Sequence, residues 1–339
     1  MEIEEIENNI DEYGSSLLKL EISGTKITYP IINSLRKVCL DQIPIYAFHT
    51  SKINILKNTS VFDNTNMKNR LSQLPIFNIE NKVKFLPLKY YKNGLLTERH
   101  PEDIMDIEVY IKSKNEGPEK LLNVTTNDII ITVNNERVDN STIYNKEHPI
   151  LLIQLRIGEE FECSMKSILS IGEFDSIFNS SNSYYEEINP NKFNYFIESS
   201  GQIPNYKLLD LGCDIIVERL KIINDNISNN QYETLITDNN SAIIELINED
   251  HTCGGLINEM VQNMKESIYC GITKPNFMQK NILFKIKTEK STTPIEVFKK
   301  GIVQSQKLVE ELKEKIEKCR LGGGQSKSSQ SKKNKPNKK

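Results

Sequence analysis

Ile31-Ile32-Asn33-Ser34-Leu35-Arg36-Lys37-Val38-Cys39-Leu40-Asp41-Gln42-Ile43-Pro44 is the stretch on which the fold turns. Pro30 suits the first turn of a helix, where a missing N–H is harmless. Ile31, Ile32, Leu35, Val38 and Cys39 recur at helical spacing as one apolar stripe, and Pro44 ends it. Upstream, the alternation in Leu18-Lys19-Leu20-Glu21-Ile22-Ser23-Gly24 predicts a strand running into a turn at Gly24. Downstream, Ile43 to Ile55 reads as a second strand. Residues 1–16 are acidic and polar, and read as a loose lead-in.

From 56 to 147 turn signals crowd between short β-rich runs such as Ile107–Ile111 and Asp128–Val133, which predicts a small mixed inserted domain. Asn93-Gly94, Glu116-Gly117-Pro118 and Asn134-Asn135 are the clearest of these signals. Ile150–Leu155, Glu160–Ile168 and Asn194–Ser199 then read as antiparallel strands of one sheet, followed by a helix over Tyr206–Ile223. The polar run at 224–234 is the expected linker. A smaller unit over 235–320 repeats the order: strand Ala242–Ile247, helix His251–Ser267, strand Ile282–Lys287, and a long helix from Pro294 to about Cys319. The predicted architecture is α+β. It has two units of antiparallel sheet plus helices, the first discontinuous over 17–55 and 148–223, and residues 321–339 form a basic disordered tail.

Composition narrows the function classes. A chain of 339 residues is long enough to bury about three-quarters of its unfolded surface, so no staple is required for a core. None of the six cysteines lies within four residues of another, so no local C-x-x-C pair exists. No basic and apolar leader and no membrane-length apolar run is present. The residues from Leu321 onward carry six lysines and no acid. With the whole chain at −3, the rest sums to −9 (−3 minus 6), which does not suit a protein that holds nucleic acid across a broad face.

The quoted stretch resembles the N-terminal helix signature of the RNA polymerase α family, which includes bacterial α, the larger of the two archaeal α-like chains and the third-largest chain of eukaryotic polymerase II. Asn33, Leu35, Arg36, Lys37, Asp41, Ile43 and Pro44 follow the pattern, with the acid displaced by one place. Asn58-Thr59-Ser60-Val61, continuing to Asn69-Arg70-Leu71-Ser72-Gln73-Leu74-Pro75-Ile76, resembles the opening of the family's inserted domain, and Asn123-Val124-Thr125-Thr126-Asn127-Asp128 an element further in. Independently, Asn248-Glu249-Asp250-His251-Thr252-Cys253-Gly254-Gly255-Leu256-Ile257 resembles the signature of the smaller α-like partner, in its archaeal and eukaryotic forms; Cys253 and Gly255 depart from it. Fusion of the two is similar to the arrangement in large cytoplasmic DNA viruses, at the giant-virus end of their range.

The resemblance implies a non-catalytic assembly subunit whose halves pair as a pseudo-symmetric heterodimer and dock the second-largest and largest polymerase subunits, with small subunits alongside. DNA and RNA would be met only through the complex, and no membrane is involved. It implies a place in the host cytoplasm, in viral factories, and in the virion. Ile31, Ile32, Asn33, Leu35, Arg36, Lys37, Val38, Cys39 and Pro44 are the expected interface residues of the first half. Glu249, Asp250, His251, Thr252, Cys253, Gly254, Gly255, Leu256 and Ile257 are those of the second, Gly254 and Gly255 admitting close helix approach. At least one of Arg36 and Lys37 is expected to reach a large subunit. Some relatives hold zinc or iron–sulfur clusters in the inserted domain, but no cysteine lies between 40 and 162 here, so neither cofactor nor metal carries over.

Catalysis finds little support. His251 and Cys253 point in different directions on a helix, and no base–orienter set accompanies them. Asp103, Asp106 and Glu108 after His100 read as a solvated loop rather than a metal site. Neither a tight Asp-x-Asp-x-Asp cluster nor a phosphate-cradling loop is present. The resemblance then implies a subunit of a nucleotidyltransferase complex that has no catalytic residues of its own. The rival reading is a stand-alone nucleic-acid-binding or interaction scaffold that uses the lysine tail, although no aromatics are interleaved there for stacking.

Overall fold

The computed structural model describes residues 1–323 apart from 11–15, 80–81, 84, 88–89, 93–94, 97–104, 119, 230, 233, 239 and 277. The chain opens with strands β1 (Glu2–Ile10) and β2 (Ser16–Ser23) and helix α1 (Tyr29–Asp41). A middle region follows: β3 (Ile45–Ala47), β4 (Ile53–Asn58), α2 (Asn64–Ser72), the short β5 (Tyr91–Lys92) and β6 (Leu95–Leu96), β7 (Ile107–Lys114), β8 (Leu121–Thr125), β9 (Ile129–Val133) and β10 (Glu136–Val138). It continues through β11 (Leu151–Arg156), β12 (Glu160–Lys166) and β13 (Ile168–Ser170). The first unit then resumes with β14 (Ser181–Asn189), β15 (Lys192–Ser199) and helix α3 (Asn205–Ser228). The second unit runs β16 (Thr234–Asp238), β17 (Ser241–Ile247), α4 (His251–Gln262), β18 (Ser267–Thr273), β19 (Asn281–Thr288) and α5 (Pro294–Gly323).

The two units have the same topology. The first sheet has the order β1-β2-β15-β14, the second β16-β17-β19-β18, and every pairing in both is antiparallel. In each, a short helix follows the second strand and a long helix follows the last. Alternation drives this: Leu18, Leu20 and Ile22 of β2 and Phe193, Tyr195 and Ile197 of β15 are fully buried on one face, while the residues between them look outward. Ala242, Ile244 and Leu246 of β17 repeat the pattern against Ile282, Phe284 and Ile286 of β19. The fold class is α+β, as the sequence predicts.

Several element expectations need correction. Residues 2–10 are an edge strand rather than a loose lead-in, because Ile3 and Glu5 pair with Ile22 and Leu20 and the Glu5 carboxylate accepts the Tyr206 hydroxyl. The single strand expected over 43–55 is two strands in different sheets. His49 Nδ1 accepts the Ser51 N–H at 3.2 Å, capping a 3-10 turn at Thr50–Lys52 that diverts the chain. The strands expected to share one sheet lie in three: β11 pairs with β8, β12 sits between β7 and β4, and β15 between β2 and β14. A strand's alternation shows its buried face and says nothing of its neighbour.

That pairing also moves the boundary of the inserted region. Its five-stranded sheet, β10-β9-β7-β12-β4, draws in strands on both sides of 56–147. The linker expected over 224–234 is shorter, since buried Ile223 and Ile227 extend the α3 stripe to Ser228. The helix expected to reach Ser267 stops at Gln262, because Ser267 already pairs in β18. Asn93-Gly94, His100, Asp103 and the lysines of the tail fall outside the described residues.

A seam between the two units as candidate functional site

Helix α1 packs against α4, with α3 and α5 closing the sides, and the apolar residues of both units merge into one continuous core. On α1, Ile31, Ile32, Leu35, Val38 and Cys39 are fully buried. On α4, Cys253, Leu256 and Ile257 are fully buried and Thr252 nearly so. Ser34 Oγ donates to the Thr252 carbonyl at 2.6 Å, and Thr28 Oγ1 donates to Glu259 Oε2 at 2.6 Å. The segments beginning at Asn33 and Asn248 therefore meet along one seam. Pro44 is buried just beyond α1, in the chain's turn toward β3.

Glycines let the helices approach, although not where the sequence places them. A Cβ on Gly254 would overlap Ile282 Cδ1 of β19, so Gly254 seats α4 on its own sheet. A Cβ on Gly255 would meet only Pro30 Cβ, at 4.0 Å, an ordinary contact across the seam. The tight crossings are elsewhere. A Cβ on Gly212 of α3 would lie 2.7 Å from Cys39 Sγ of α1, and one on Gly301 of α5 would overlap Val261 Cγ2 of α4. Cys39 and Val261 are each the eleventh residue of their helices, and Gly212 and Gly301 each the eighth of theirs. The same crossing is thus built twice.

A polar lock sits at the end of the seam. Arg219 of α3, largely but not fully buried, donates from Nη1 to Gln42 Oε1 at 2.5 Å and from Nη2 to Glu249 Oε2 at 2.6 Å. Asp250 Oδ1 lies 3.6 Å from the same Nη2, and Asp250 Oδ2 lies 3.4 Å from Lys37 Nζ. Asp250 also caps α4, accepting the Thr252 N–H at 2.9 Å. Burial opposes its charge, but Arg219, the Thr252 hydrogen bond and Lys37 outweigh burial and hold its pKa below the ordinary value. Lys26–Glu311 at 2.7 Å and Lys313–Asp210 at 2.9 Å add bridges at the rim.

Lys37 is thus engaged inside the chain. Arg36 is half-buried and donates to Asn33 Oδ1 of its own helix at 3.1 Å. His251 is exposed, while Cys253 is buried and its thiol pushed up by desolvation, so the two do not form a nucleophile–base pair. Asp106 and Glu108 both pair with Lys166, at 2.5 and 3.2 Å. Among the described residues no group of three or more His, Cys, Asp or Glu is placed to hold a metal ion.

The inserted-region motif is a turn and a helix. Asn58 accepts the Ser60 N–H at 3.0 Å and donates to the Phe62 carbonyl at 2.8 Å. Thr59 pairs with Glu160, Val61 is exposed, Arg70 donates to the Leu151 carbonyl at 3.1 Å, Leu71 is buried and Pro75 half-buried. This motif is remote from the α1–α4 contact and shapes the inserted sheet.

Sequence reasoning missed Arg219, Gly212 and Gly301. A signal existed for the first: Arg219 lies three residues after Ile216 and four before Ile223, on the apolar side of α3. An arginine there needs buried carboxylate partners.

Two family models match, both described as the RNA polymerase Rpb3/Rpb11 dimerisation domain, one over residues 19–220 and the other over 241–315. A curated protein of Acanthamoeba polyphaga mimivirus, provisionally named a DNA directed RNA polymerase subunit, is 27% identical over 331 residues, covering 89% of this chain and 90% of its own length.

Proposed function

This chain belongs to the RNA polymerase Rpb3/Rpb11 dimerisation family, and from that membership we propose that it is a non-catalytic assembly subunit of a multisubunit DNA-directed RNA polymerase. Two models of the family match successive regions of the chain, and those two regions pack on each other within one polypeptide, which carries the reading. A pair ordinarily made by two subunits would then be present before any other subunit arrives. The connection between α3 and β16 is five residues long, 229–233, so the halves sit at an effective concentration of roughly millimolar or above and associate without a search.

On this reading the seam is the structural centre of a platform for the second-largest and largest subunits, with small polymerase subunits alongside. Because Lys37 is held by Asp250, Arg36 is the better candidate for contact with a large subunit. The mimivirus relative supports a virus-encoded transcription enzyme, which we further propose works in the host cytoplasm and is packaged in the virion. Nucleic acid would be reached only through the assembled enzyme, and with no cysteine between 40 and 162 the inserted region would carry neither zinc nor an iron–sulfur cluster on cysteine ligands.

Affinity purification of the tagged chain from cells expressing its genome, followed by mass spectrometry, tests this. Stoichiometric recovery of two large polymerase subunits is the expected result; recovery without either would reject it. The rival reading, a free-standing nucleic-acid binder, rests on the lysine tail and predicts strong salt-sensitive binding by the isolated chain.

A further inference from the structure

The outward face of the first sheet has its own chemistry, separate from the seam. Register places Glu2, Glu4 and Glu7 of β1, Lys19 and Glu21 of β2, Lys192, Asn194, Phe196 and Glu198 of β15, and Asn182, Tyr184 and Glu186 of β14 on this side, opposite the buried face. Asn182, Tyr184 and Glu186 are exposed, and Phe196 and Glu198 half-buried. Tyr184 and Phe196 stack with centroids 4.7 Å apart and planes at 10°. Lys19 Nζ lies 5.1 Å from the Phe196 ring centre on the other side. This face carries six carboxylates against two lysines, one of which is paired, Lys192 with Glu21 at 2.7 Å.

A polycation suits such a face, and the chain has one. Residues 324–339 include Lys327, Lys332, Lys333, Lys335, Lys338 and Lys339 and no acid. They follow directly on α5, whose last turns run along β1: Cys319 lies against Glu5, and Arg320 lines a cavity with Asn8 and Ile10. Sixteen residues reach roughly 50 Å when extended, whereas four strands are only about 15 Å across. The end of α5 and the acidic face are therefore separated by no more than the free edge of β1.

We propose that the outer face of the first sheet receives the chain's own lysine-rich terminus. Single exposed ion pairs are weak, but several made by a tethered segment add at high effective concentration. The exposed Tyr184 ring offers a surface for a lysine ammonium. The consequence is that the tail is withheld from nucleic acid.

Zero-length carbodiimide cross-linking of the full-length chain, read by peptide mass spectrometry on a mixture of light- and heavy-isotope protein, tests the proposal. Links from the tail lysines to Glu4, Glu7, Glu21 and Glu186 within one chain are expected at about 10 mM ionic strength and not at about 1 M, where screening shortens from about 30 Å to about 3 Å. The combined variant Glu4→Gln, Glu7→Gln, Glu21→Gln and Glu186→Gln should bind single-stranded RNA about tenfold more tightly than the native chain, and removal of 324–339 should abolish that gain. Links spread evenly over remote carboxylates such as Glu147 and Glu289, links mainly between light and heavy chains, or RNA affinity unchanged in the combined variant would each overturn it.

Discussion

Arg219 of the first unit and Glu249 of the second are joined by a buried ion pair, Nη2 to Oε2 at 2.6 Å, at the N-terminal end of α4. Glu249 and its neighbour Asp250 open the second-unit signature, so part of what the signature specifies is a partner for an arginine on the far side of the seam. Removing the arginine alone leaves a carboxylate stranded in the core. Arg219→Met should cost about 3–5 kcal/mol of stability, and Arg219→Met with Glu249→Leu should recover most of that loss. Urea denaturation measures both; a loss below about 1 kcal/mol would mean the pair behaves as a surface bridge.

Asp250 gives a pH signature. Its carboxyl is held below the ordinary range against the pull of burial, by Arg219, Thr252 and Lys37. A carboxylate depressed in the folded state adds stability that is present above its unfolded value of about 3.9 and lost as pH falls through the folded value. Asp250→Asn keeps the helix cap, because Asn caps as well as Asp, and removes the charge. The variant should lose less stability than the native protein on acidification below about pH 4, as read from urea midpoints across pH.

The two adjacent glycines of α4 should respond in opposite directions. Gly254→Ala drives a methyl into Ile282 and should destabilise by about 1–3 kcal/mol. Gly255→Ala meets nothing nearer than Pro30 Cβ at 4.0 Å and should stabilise by about 1 kcal/mol through helix propensity. Thermal or urea unfolding of the pair distinguishes close packing on β19 from a general intolerance of the motif.

Gly301→Ala should be destabilising by about 1–3 kcal/mol, because the new methyl overlaps Val261 Cγ2. Shortening the neighbour in the double variant with Val261→Ala should return part of the loss, measured as a double-mutant cycle. Additive losses would contradict a direct contact between α4 and α5 at this crossing.

What was legible in the sequence was local. The stripes of α1 and α4, the inward alternation of β2, β15, β17 and β19, and the repeated order of the units are written in residues close together in the chain. What was not legible depends on distant partners. The Glu-rich start became β1 only because β2 offers it an edge, and β12 left its expected sheet because β4 and β7 flank it. The Arg219 lock joins α3 to residues thirty and more positions away. The glycines at the tight crossings, Gly212 and Gly301, lie in the long helices and carry no motif, so only the packing reveals them.

On the proposed function, this one polypeptide supplies both sides of the dimer on which the polymerase is built. Native mass spectrometry of the purified polymerase, resolving how many copies of each chain it holds, tests that most directly. A single copy of this chain for each second-largest subunit, with no separate chain of the same family, is the predicted result. Two copies, or one copy accompanied by an independent α-like subunit, would contradict it.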